Sequence, residues 1–214
     1  VEPSEVGGKT AAVEDFDAPT ETMFSITPLL YQSGYITIKG YDSELGLYTL
    51  DIPNKEVRVG LMRSLLPYYV STPTEKTNTM VAYLSRDIRN DDMDSALRRL
   101  QTFLSTIPYC DNTRYEGHYQ QMFYIIFSLL GSFVDVEVRT PRGRVDVVLR
   151  TKTTLYVMEL KLDKTAGEAM EQINLKNYSE RFALCGLPVV KVAINFDSER
   201  CTIGEWKLQT IDKW

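Results

Sequence analysis

The sequence predicts a mixed protein, part α+β and part α/β: a C-terminal core of order αβββαβ behind an N-terminal, mainly helical, winged-helix-like module. Three observations carry this. From about Asn112 the apolar residues alternate between helical and strand spacing in that order. Between residues 23 and 70 the pattern reads helix, hairpin, helix. Between the two halves Pro108 stops an amphipathic helix, and 214 residues suit two domains better than one small one. The expected division is a linker or tail over residues 1–22, the helical module over 23–108 and the αβββαβ domain over 112–214.

Residues 1–22 hold few large apolar side chains among several Pro, Gly and acidic residues, which is the composition of a linker. MFSITPLLYQSGYI predicts a short helix closed by Gly34. YITIKGYD and LYTLDIP predict two strands joined across residues 43–46, and EVRVGLMRSLLPYYV an amphipathic helix. Such a module either touches a nucleic acid or another protein, or spaces two larger domains. Residues 91–107 form the next expected helix: its acidic first turn suits the positive end of the helix dipole, and Met93, Leu97, Leu100 and Leu104 line one face.

The second half is expected to open with a helix over residues 113–130, stopped by Gly131. Strands follow at 133–139, 143–150 and 155–162, the first two joined by a turn at 141–143. A helix over 166–185 ends at Gly186, and Pro188 prevents its extension. The β-branched run 189–196 reads as a buried central strand, with a last strand within 206–211.

Composition excludes several classes. With 43% hydrophobic and 25% charged residues the chain is ordinary for a globular protein, and no apolar run approaches the ~18 residues of a membrane helix. Cys110, Cys185 and Cys201 show no CxxC spacing, which argues against a disulfide framework or a zinc site and suits a reducing cytoplasm. His118, the only histidine, cannot build a multi-histidine metal site. The net charge of −5 disfavours a surface that is basic throughout but allows a local basic patch. The chain opens on valine without a leader, so it is expected to be part of a longer protein.

The chemistry concentrates in GRVDVVLRTKTTLYVMELKL. Two strands flank a short loop centred on Lys152 and Thr153, so opposed residue numbers sum to 305, as 146 and 159 do. Asp146 and Glu159 are therefore expected to face each other on one side of the sheet, with Cβ atoms ~5 Å apart. Two carboxylates so placed repel, and a mostly apolar face selects against them unless a cation lies between. Lys161, two residues beyond Glu159, falls on the same face, where its ammonium can serve a water or a phosphoryl transition state. Hard oxygen ligands favour Mg²⁺ or Mn²⁺ over zinc. The competing reading is a surface hairpin with its acids in solvent.

The pattern D-x(12)-E-x-K on paired strands, with a glutamate on the preceding helix and a long helix after it, resembles the PD-(D/E)XK nuclease superfamily, whose core is restriction-endonuclease-like. More narrowly, LLYQSGYITIKGYD and PNKEVRVGLMRSLLPYY resemble the stretch that bacterial proteins carry between an AAA-ATPase-like domain and such a nuclease domain. The resemblance implies Asp146 and Glu159 as metal-binding and catalytic acids, Lys161 as the catalytic lysine, and Glu116 as the acid contributed by the first helix. For Glu116 a role at the positive end of the helix dipole competes. Gln172 and Tyr178 in EQINLKNY resemble the glutamine and tyrosine that some members place on the following helix, at a longer spacing here; for Tyr178 packing against Phe182 competes. The proline of the family's name is absent, with Val145 before Asp146.

Between Arg139 and Lys164 seven basic residues meet three acidic ones, a local excess of four positive charges in a negative chain. Arg142 and Arg144 in particular are expected to meet phosphates, which bind such patches without sequence preference. The expected function is metal-dependent hydrolysis of nucleic-acid phosphodiesters, DNA first, with Mg²⁺ or Mn²⁺. The alternative is a non-catalytic binding or regulatory module on a nuclease-like fold serving an upstream AAA-ATPase-like domain.

Overall fold

A computed structural model describes residues 2–16, 25–107, 116–139, 144–175 and 186–211, with the backbone alone at Glu116 and Arg144. The chain forms two compact units, Val1–Leu65 and Leu66–Trp214.

In the first unit, strands β1 (Lys9–Ala11), β2 (Thr37–Asp42) and β3 (Leu47–Asp51) form a three-stranded antiparallel sheet of order β1-β3-β2. Helix α1 (Thr27–Gln32) precedes the β2–β3 hairpin, and Gly34 beyond it takes the left-handed conformation (φ 78°) that releases the chain into β2. Helix α2 (Lys55–Tyr69) follows, its last residues from Leu66 on belonging to the second unit. Helix, hairpin and helix thus occur in the expected order, but residues 2–16 depart from the expected linker. Lys9–Ala11 pairs with β3, and Val6 and Ala11 are buried. Backbone pairing recruits this strand, which side-chain composition does not reveal. Gly7 is part of the packing: a Cβ there would meet Asp51 Oδ1 at 2.1 Å.

The second unit holds a five-stranded mixed sheet of order β4-β5-β6-β7-β8, comprising β4 (Asp135–Arg139), β5 (Arg144–Arg150), β6 (Leu155–Leu162), β7 (Val189–Asp197) and β8 (Thr202–Ile211). All neighbours are antiparallel except β6 and β7, whose parallel pairing needs a crossover. Helix α6, described over Ala166–Leu175, supplies it. Strand β8 begins four residues before the stretch expected for it.

The two sheet faces are covered by different helices. On one, α5 (Glu116–Leu129) sets Tyr119 and Phe123 against Phe196, with ring centroids 4.6 and 5.2 Å apart. On the other, Ala169 and Ile173 of α6 pack on Leu155, Val157, Val189 and Ala193. Helix α4 (Met93–Ser105) is tied to β8, since Gln101 Nε2 donates to Ile203 O (2.7 Å) and Thr202 Oγ1 donates to Gln101 O (2.8 Å). Helix α3 (Thr74–Arg89), not among the expected elements, lies against α4, and Arg99 Nε donates to the buried Asp87 at 2.7 Å. Both helices belong to the second unit, so compactness divides the chain earlier than the expected boundary between residues 108 and 112. Those boundary residues lie outside the described ones. Among the described residues no helix is long and apolar enough to cross a membrane.

Candidate active site

The β5–β6 turn sets the register of the site. Thr151 N donates to Thr154 O (2.9 Å), while Thr151 Oγ1 accepts from the backbone of Thr153 and Thr154. Asp91, at the α3–α4 junction in a left-handed conformation, accepts from the Thr153 and Tyr156 hydroxyls at 2.8 and 2.9 Å, fixing the turn to the helices. Burial alone would raise the Asp91 pKa, but the hydrogen bonds from Thr153, Thr154 and Tyr156 outweigh it and hold the carboxyl below its usual range. Tyr156 is driven the other way, above the usual phenol range, first by burial and then by Asp91.

With the turn centred there, Asp146 on β5 pairs with Glu159 on β6, as the spacing predicts. Pairing continues across the sheet to Arg139 on one side and Ala193 on the other. Glu159 is only 1% exposed and Asp146 half-buried, and Asp146 Oδ1 and Glu159 Oε1 are both shielded from solvent. In the next row Arg144, Lys161 and Asn195 are registered neighbours on β5, β6 and β7. Alternation along the strands puts Asp146, Glu159, Lys161 and Asn195 on the α6 side of the sheet. Lys161 is half-buried, and its Nζ donates to Gln172 Oε1 of α6 at 3.3 Å.

The fold thus brings Asp146, Glu159, Lys161 and Gln172 to one end of one sheet face. Two acids alone do not complete a cage: among the described residues no three His, Cys, Asp or Glu side chains gather where they could hold a metal. The expected third acid, Glu116, starts α5 on the opposite face, and its side chain lies outside the described residues, as do Arg142, Tyr178 and the Arg144 side chain. Arg139 turns to Glu137 on its own strand, Nε donating at 2.9 Å. A local pair therefore absorbs part of the charge assigned to phosphate binding. Arg150, Lys152 and Lys164 are exposed.

Two further polar residues border the site, and no motif signalled them. Asn195 Oδ1 accepts from Lys164 N (3.0 Å), and Glu205 Oε1 on β8 accepts from Ala166 N (2.8 Å). Glu168, on the first turn of α6, is held below the usual carboxylate range chiefly by the Thr165 backbone N–H. Burial opposes this slightly, and the Thr165 hydroxyl, Lys164 and Lys161 add to it.

Residues 114–206 match the family model of the PD-(D/E)XK nuclease superfamily, which bears out the resemblance read from the sequence over the elements that carry this site. The chain is also 31% identical over 192 residues, 84% of its length, to the "Uncharacterized protein in vnfD 5'region" of Azotobacter chroococcum mcd 1. It spans 37% of that relative's length.

Proposed function

From a PD-(D/E)XK nuclease superfamily domain as premise, we propose that this chain hydrolyses nucleic-acid phosphodiesters, DNA first, with Mg²⁺ or Mn²⁺. One observation carries the reading: a buried glutamate, Glu159, stands directly opposite Asp146, with Lys161 two residues on. Members of the superfamily generally use divalent ions, and the donor set here fits one, because both side chains offer hard carboxylate oxygens and neither strand neighbour supplies a sulfur or imidazole. Asp146 and Glu159 would hold the ion. When bound, a divalent cation supplies Lewis-acid polarisation of a phosphoryl oxygen and acidifies a coordinated water. Lys161 places a fixed positive charge on the same face, favouring the charge that builds on phosphorus oxygens in the transition state. Gln172 and Tyr178 would contact the substrate strand, while Arg142 and Arg144 would hold the phosphate backbone.

The same proposal covers the wider protein. It places the chain in a reducing cytoplasm, beside an upstream AAA-ATPase-like domain. It takes residues 23–108 as a helical, winged-helix-like module, supported by the order α1, β2, β3, α2.

The purified protein should degrade DNA with Mn²⁺ or Mg²⁺ and be silent in EDTA. Glu159→Ala should abolish metal binding and turnover together. Lys161→Ala should keep metal and DNA binding and lose turnover, since its role lies in the transition state. Equal DNA binding by all three proteins, with no cleavage by any under any divalent ion, would instead establish a binding module.

A further inference from the structure

One row of the sheet does more than flank the acid pair. Lys161, Asn195 and Glu205 are registered neighbours on β6, β7 and β8, and each reaches toward α6 or the segment leading into it. Lys161 Nζ donates to Gln172, Asn195 accepts from Lys164 N, and Glu205 accepts from Ala166 N. Asp163, in the left-handed conformation (φ 51°), completes the set, because its carboxylate accepts from Ser198 N (2.8 Å) and Ser198 Oγ (2.6 Å). The crossover between the strand bearing Glu159 and Lys161 and the helix bearing Gln172 is thus tied to β7, β8 and the turn between them.

The local cap of α6 leaves the Ala166 N–H to Glu205. Thr165 and Glu168 already cap α6 reciprocally: Thr165 N donates to Glu168 Oε2 (2.8 Å) and Glu168 N donates to Thr165 Oγ1 (3.1 Å). The apolar contact between α6 and the sheet, through Ala169 and Ile173, is non-directional. Directional hydrogen bonds from β7 and β8 fix where along the sheet the helix sits, and so where Gln172 meets Lys161.

We infer that Asn195 and Glu205 are positioning residues for the reaction proposed above, acting on Lys161 through the crossover and Gln172. The inference rests on the nuclease reading for its kinetic consequence but not for its structural one. Glu205→Ala removes the acceptor, whereas Glu205→Gln keeps a carbonyl oxygen in its place.

In the full 214-residue chain, Glu205→Ala should move the Gln172 side-chain amide resonances in NMR spectra. It should also lower kcat for Mn²⁺-dependent DNA cleavage roughly 10- to 100-fold, with KM within about twofold. Glu205→Gln should restore both, and Gln209→Ala, on the same strand away from the crossover, should change neither. Should Glu205→Ala fold poorly, Asn195→Ala carries the same expectation. Unmoved Gln172 resonances, an unchanged kcat or an equal loss in Glu205→Gln would overturn the inference. If the wild type cleaves nothing with any divalent ion, the nuclease reading fails. The resonances then decide alone: movement upholds the coupling and its absence overturns it.

Discussion

Replacing Glu159 by glutamine should stabilise the metal-free protein, the reverse of what a buried polar substitution ordinarily does. Glu159 and Asp146 are cross-strand partners, which places their Cβ atoms ~5 Å apart. Carboxylates both ionised at about that separation would repel by roughly 3 kcal/mol at an effective permittivity of ~20. Asp146 is only half-buried, so solvent screens part of this, leaving about 1–2 kcal/mol. Glu159→Gln removes one charge, conserves shape, and offers an amide that the Asp146 carboxylate can accept from. At roughly 2–4 °C per kcal/mol for a chain of this size, the melting temperature in EDTA should rise by about 2–8 °C. The wild type should regain stability from the ion, about 2.7 kcal/mol at a free concentration ~100 times its Kd, while the variant should not respond. Differential scanning fluorimetry with EDTA, Mg²⁺ and Mn²⁺ measures both effects. A variant that melts below the wild type in EDTA, with a wild type that ignores both ions, would refute the cation-holding role of this pair.

Three further outcomes follow from the same structure. Tyr156→Phe should cost roughly 1–2 kcal/mol in urea unfolding at neutral pH, because it deletes the hydrogen bond to Asp91. Since the folded Asp91 pKa is depressed, its contribution is present above the ordinary carboxylate range and lost as pH falls through the lowered value. Losing that bond should therefore flatten the acid limb of the stability curve. Phe123→Ala should destabilise the second unit by about 3–5 kcal/mol in denaturant melts, because Phe123 is fully buried between Phe127 and Phe196. Arg142→Ala and Arg144→Ala should each lower the slope of log K against log salt for DNA binding by roughly 0.9, one phosphate contact apiece; unchanged slopes would remove both from the interface.

The part of the site that was legible in the sequence is the part fixed by local geometry. A short turn centred on Lys152 and Thr153 admits one antiparallel register, and a slip of one residue would send Glu159 to the opposite face. Spacing alone therefore placed Asp146 opposite Glu159, with Lys161 beside them. Helix α3 carries a comparable signal, since Met80, Leu84 and Ile88 recur every four residues behind Pro73, and all three are buried. Strand β1 carried almost none. Lys9, Thr10 and Ala11 have no strand-like alternation of large apolar groups, and it is the partner strand β3 that makes them a strand.

The remainder of the site was illegible for a physical reason. A cap or a strand announces itself through residues two to four positions apart, whereas Glu205 meets Ala166 across 39 positions and Asn195 meets Lys164 across 31. Nothing in the residues around Glu205 marks it, because an exposed edge strand tolerates a glutamate anywhere on its outer positions. Its role exists only once the parallel β6–β7 pairing forces the chain through a crossover and the antiparallel return brings β8 alongside. The acids that could hold a cation are thus set by a hairpin, a local element. The setting of Lys161 against Gln172 depends on the whole sheet closing around the crossover. Loosening β8 should therefore disturb the lysine before it disturbs the acid pair.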